Sequence, residues 1–155
     1  MNFYNVQAVL DSIIEKEFSG GGSPEAIKHA ESEIGFKFPL DYAEYLTELG
    51  CGFAFSEDFI GLGGEEHLDV LCTYRRLRQI SKHTQLPINF VPLKPDGYGN
   101  FECIDIGNSS EDKSLVVLWL HDSGDEQNCE ILSHGFWEWF AKELESIQDF
   151  DEQGQ

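Results

Sequence analysis

The sequence is poor in positive charge: ten Lys and Arg stand against 29 Asp and Glu, leaving a formal net charge of −19. Like-charge repulsion on that scale disfavours nucleic acid and anionic membranes as partners, and the charge favours basic ones. Long apolar runs are missing too. The longest, Leu115 to Leu120, is six residues, far short of a membrane-spanning helix. The four cysteines (Cys51, Cys72, Cys103 and Cys129) include no C-x-x-C pair, so neither a zinc knuckle nor a dithiol redox motif is present. Cys72 and Cys103 stand among apolar residues, as small buried thiols do. No secretory leader is recognisable, which points to reduced thiols and a cytoplasmic location.

Catalytic signatures are absent as well. None of the five histidines (His29, His67, His83, His121, His134) pairs with another at i, i+4. Gly50-Cys51-Gly52 follows a helical pattern, whereas a nucleophile elbow needs a strand before it. Gly61-Leu62-Gly63-Gly64 lacks both the dinucleotide fingerprint and the Lys-Ser/Thr of a phosphate loop. The best metal or acid/base candidate is His121-Asp122 with Asp125, Glu126 and His134, if that loop folds back. Its spacing fits no established ligand set, and a solvated acidic hairpin is favoured. No catalysis, metal or cofactor is expected.

Core material is plentiful, with 41% hydrophobic residues, twelve Phe and three Trp, enough for one domain in 155 residues. Val6, Val9, Leu10, Ile13 and Ile14 have helical spacing, and the segment ends at Phe18 before a Gly20-Gly21-Gly22 run that reads as a flexible linker. Ser23-Pro24-Glu25 starts a second helix and Gly35 stops it; Pro39 opens a third, ended by Gly50. These two form a helical hairpin. Gly52 to Phe55 and Asp58 to Leu62 are short strands. Glu66 to Ile80 is a helix carrying Arg75, Arg76 and Arg78, which are expected to pair with Glu65, Glu66 or Asp69.

The second half changes period. Ile88–Leu93, Asn100–Ile106, Leu115–His121 and Gln127–Leu132 form an antiparallel meander. Ser133 caps a closing helix with Phe136, Trp137, Phe140, Leu144 and Ile147 on one face, leaving Trp139 off the stripe. The fold class is α+β: a single domain over residues 1–148, with a central antiparallel sheet, an N-terminal helical hairpin and a C-terminal helix packed against it. Residues 149–155 form a frayed acidic tail. Charge is uneven: residues 1–50 carry nine acids against three bases, 51–100 six against five, and 101–155 fourteen against two.

The order Ile27, Glu31, Ile34-Gly35, Phe38-Pro39, Asp41-Tyr42, Tyr45-Leu46 and Gly50-Cys51-Gly52 resembles the opening signature of the SUKH superfamily. Asp58-Phe59-Ile60-Gly61-Leu62 is similar to its short strand, and Asp96-Gly97-Tyr98-Gly99-Asn100-Phe101 with Asp105 to its hairpin. Val116 through Trp119 and the Ser133–Leu144 helix complete the likeness. Cys51-Gly52 stands where Asn-Gly is usual, and Asn100 where Asp is commoner. The resemblance implies an α+β fold and an immunity protein that neutralises a cognate toxin, with a basic nuclease domain as the charge-complementary partner. The alternative is a regulatory or scaffolding module with a non-toxin partner. An enzyme using the His121–Glu126 loop is the third reading. Exposed loop carboxylates are the candidate docking residues: Glu57, Asp58, Glu65, Glu66, Asp122, Asp125 and Glu126. Tyr98 and Trp139 are the candidate aromatic anchors.

Overall fold

A computed structural model of the chain describes residues 1–80, 84–123 and 129–153, with side chains described as far as Asp149. Helix α1 covers Phe3–Ser12 and opens with a reciprocal cap between Asn2 and Asn5. It buries Val6 and Leu10, then stops at Ile13, where the backbone turns extended. The helix expected to continue toward Phe18 instead becomes strand β1, Lys16–Phe18, paired with β2, Gly52–Ala54. Long-range strand pairing overrides the local period there.

The helical hairpin forms as the sequence indicates. Helix α2, Pro24–Ile34, is capped by Ser23 Oγ accepting from Ala26 N–H, and Gly35 closes it at φ 90°. Helix α3, Leu40–Glu48, begins after Pro39 with no side-chain cap. Its first N–H groups reach across the molecule instead: Leu40 donates to the Glu111 carbonyl and Asp41 to that of Asp112. The glycine run between α1 and α2 is not a free linker. Gly22 N–H donates to Leu46 O and Gly20 N–H to Leu49 O, and a side chain at Gly21 would strike the Thr47 carbonyl.

Beyond α3, β2 turns into β3, Glu57–Phe59, so β1-β2-β3 make a three-stranded antiparallel sheet. This second sheet is a feature that a single-meander reading does not contain. A short 3₁₀ turn at Glu66–Leu68 leads into helix α4, Val70–Arg78, capped by Asp69. The meander itself is present: β4 Phe90–Pro95, β5 Phe101–Asp105, β6 Val116–Trp119 and β7 Glu130–Ser133, each antiparallel to the next. The expected α+β class therefore holds. Helix α5, Phe136–Gln153, closes the fold and runs into the segment expected to fray.

The core is aromatic. Tyr45 and Phe136 lie 4.7 Å apart by ring centroid, and Tyr42, Trp137, Phe140 and Phe59 surround them. Trp139, expected as an exposed anchor, is only 2% exposed. Helix α5 is covered on two sides: Trp137 packs on Phe3 and Tyr45, while Trp139 packs on Phe59 and donates its Nε1–H to Glu102. A single helical stripe assumes one neighbour, and here there are two.

Candidate protein-docking cleft

The three-stranded sheet divides its side chains by strand alternation. On the inner face, Phe18, Gly52 and Phe59 are in register, and so are Lys16, Ala54 and Glu57. On the outer face, one row crosses all three strands: Glu17 opposite Phe53, and Phe53 opposite Asp58. This row lines a cleft of about 430 Å³ together with Ser19, Cys51, Glu65 and His67. The backbone of Gly63-Gly64 forms its rim. Among the described residues, no Lys or Arg lines it.

Ser19 Oγ anchors the floor, donating to the carbonyl oxygens of Leu62 and Leu49 and accepting from Cys51 N–H. Burial pushes the Cys51 thiol up, which keeps it protonated and a poor nucleophile. A neighbouring cleft of about 560 Å³ shares Glu65 and His67 and adds Glu66, Cys72, Thr73 and Arg76.

The expected docking carboxylates separate into different fates. Asp58 and Glu65 share the first cleft, and Glu66 lies in the second. Glu57 faces inward, where its carboxylate pairs with Lys94 at 3.0 Å. Strand alternation turns it to the opposite face from Asp58, and its side chain stays 40% exposed there. Tyr98 is 83% exposed at the β4–β5 tip, held there by Asp96 accepting from the N–H groups of Tyr98 and Asn100. Asp122 is exposed beside this tip, because His121 N–H donates to Asn100 Oδ1. Asp125 and Glu126 lie outside the described residues.

The suggested convergence of His121 and His134 does not occur. Ser133 pairs with Val116, which puts His134 beside the start of β6, whereas His121 follows its end. Among the described residues, no group of three or more His, Cys, Asp or Glu is placed to hold a metal ion. The arginines also pair differently from expectation: Arg75 bonds Glu33 of α2 at 2.9 Å, and Arg78 donates to the Leu86 carbonyl. Arg76 alone of the three stays near the expected acids, lining the second cleft with Glu65 and Glu66.

Glu17, Ser19, Phe53 and His67 carry no signal in the helical period or in any motif. A three-residue strand such as Lys16–Phe18 is too short for alternation to be legible. Lys94 was equally hidden in a stretch that reads as turn chemistry. It is 7% exposed and sits within 3.0 to 3.4 Å of Glu57, Glu102 and Glu143. Burial works to lower its pKa, but the three carboxylates outweigh that and hold it above the usual lysine range. Glu143 is pushed up to about 7 by burial and then by Glu102, against the pull of Lys94.

Most residues of the sequence signature hold the scaffold together. Glu31 accepts from Phe38 N–H at 2.6 Å, and Tyr45 Oη donates to the Ile60 carbonyl. Asp41 accepts from Ser114 N–H and Oγ–H and from Phe136 N–H. Cys51, Gly52 and Asp58 are the signature residues that line the first cleft. A family model described as SMI1-KNR4 cell-wall (SUKH_5) matches residues 6–145. No curated protein matches the chain.

Proposed function

The chain belongs to the SMI1-KNR4 family, and from that premise we propose that it is an immunity protein that neutralises a cognate toxin by direct binding. The partner is a protein with a basic surface, of which a nuclease-type toxin domain is the leading case. A cleft that grips phosphates must be basic, and an acidic domain complements it. The observation that carries this reading is the division of charge across the small sheet. Glu57 is matched by Lys94, while Glu17 and Asp58 on the outer face have no ion-pair partner among the described residues. Unmatched charge beside a concave surface is a feature that a charged partner can use.

Asp58, Glu65 and Glu66 are the carboxylates assigned to the contact, with Tyr98 and Asp122 forming a second, peripheral patch. The reading assigns no chemistry to the chain itself. It acts in the cytoplasm by occlusion, and no helix among the described residues is long and apolar enough to cross a membrane.

Co-expression with the C-terminal domain of a toxin encoded immediately upstream tests the proposal. Cell survival together with recovery of a stoichiometric complex is the expected result. Cell death with no complex would remove the assignment to that toxin. Survival of cells without any toxin gene beside this one, and a non-toxin protein in the complex, would favour a regulatory or scaffolding role.

A further inference from the structure

The outer row of the small sheet has a more specific geometry than general acidity. Glu17, Phe53 and Asp58 are direct cross-strand neighbours, with Phe53 in the middle. Such neighbours have Cβ atoms about 4.5–5.5 Å apart on one face. A half-buried phenyl ring thus lies between two carboxylates that have no ion-pair partner among the described residues, inside a cleft of about 430 Å³. The comparison within the molecule is telling. The neighbouring cleft contains its own cation, Arg76, and the partly exposed acids Glu57, Glu102 and Glu143 share Lys94. Among the described residues, the first cleft combines unmatched carboxylates and an aromatic platform with no Lys or Arg in its lining.

We propose that the row Glu17–Phe53–Asp58 is the seat for one arginine side chain of a basic protein partner. The guanidinium lies on the Phe53 ring, and its N–H groups donate to Glu17 on one side and Asp58 on the other. Glu65 stands at the rim. Arginine fits better than lysine, because its planar fork can stack and donate in two directions at once, whereas an ammonium is a compact, strongly hydrated point charge. Ring and carboxylates act together: the ring face attracts the cation and the carboxylates make charge-assisted hydrogen bonds. This assignment rests on the reading of the chain as a binder of a basic protein, and it names the side chain that the cleft takes.

The test is an amide-resolved NMR titration of the full chain at low salt with N-acetyl-arginine amide. The matched neutral probe is N-acetyl-citrulline amide. Saturable shifts centred on Glu17, Phe53 and Asp58 are expected with the arginine probe, with a dissociation constant on the order of 1 mM. Citrulline should shift them far less. Phe53→Leu should weaken the arginine probe about fivefold, and Glu17→Gln with Asp58→Asn about tenfold. Removing the same two charges from exposed positions elsewhere, by Glu130→Gln with Glu145→Gln, should change little. The amide spectra of the variants report directly whether each is folded.

Shifts scattered over the whole acidic surface, equal weakening by the two double variants, or equal response to citrulline would each overturn the seat. The probe needs no toxin, so the two failures are distinguishable. A lost seat with intact rescue moves the docking face elsewhere. An intact seat without rescue removes the toxin reading and leaves a site for a different basic protein.

Discussion

Asp41 shows how much one side chain carries in this chain. Its carboxylate accepts from Ser114 N–H at 3.0 Å, Ser114 Oγ–H at 2.7 Å and Phe136 N–H at 2.8 Å. It thereby ties the start of α3 to the approach of β6 and to the first turn of α5. Asp41→Ala strands those donors, and urea unfolding should show a loss of about 2–4 kcal/mol. The Lys94 cluster makes a different prediction, one of sign. Glu143 has its folded pKa raised to about 7 from an ordinary 4.5. Between those values the folded state holds a proton that the unfolded chain has released. Its contribution to stability is therefore fully present below about pH 4.5 and is lost as pH rises through 7. Glu143→Gln should flatten the dependence of stability on pH across that window. Unfolding midpoints measured from pH 4.5 to 8 check it, and an unchanged slope would show that Glu143 does not titrate there.

At the scale of elements, glycines separate two kinds of constraint. Gly35 adopts φ 90° with open space around it, so Gly35→Ala meets only backbone strain and should cost about 1 kcal/mol. Gly61 lies against the Gly50 carbonyl and the Leu46 side chain, and there an added methyl has nowhere to go. Gly61→Ala should cost more than about 3 kcal/mol or abolish folding, as read from the urea midpoint of any recovered protein. The same contrast explains what was legible in the sequence. Caps, stop glycines and the four-strand meander are written locally, in Ser23, Gly35 and the turn chemistry around Asp96 to Gly99. Strand β1 was not legible, because Lys16–Phe18 becomes a strand only when β2 lies beside it. The cleft depends on that pairing, so its Glu17 and Phe53 were hidden with it. Trp139 was misplaced for a related reason: periodicity along α5 says nothing of how many neighbours the helix has.

For the whole molecule, charge and fold are separate achievements. The signature residues build a scaffold that accepts a net charge of −19, with exposed acids spread over its surface. Internal pairing absorbs a few of them, chiefly through Lys94, Arg75 and Lys113. The remainder sets a long-range field that attracts basic proteins and is screened within about 10 Å at 0.1 M salt. Electrostatic steering of this kind acts mainly on the rate of encounter. The most direct measurement is therefore the association rate constant of the purified chain with a basic toxin domain, taken across ionic strength. The account predicts a rate of about 10⁸ M⁻¹s⁻¹ at low salt, falling at least about tenfold by 0.5 M. A rate that stays flat across that range, or no binding at any salt, would contradict it.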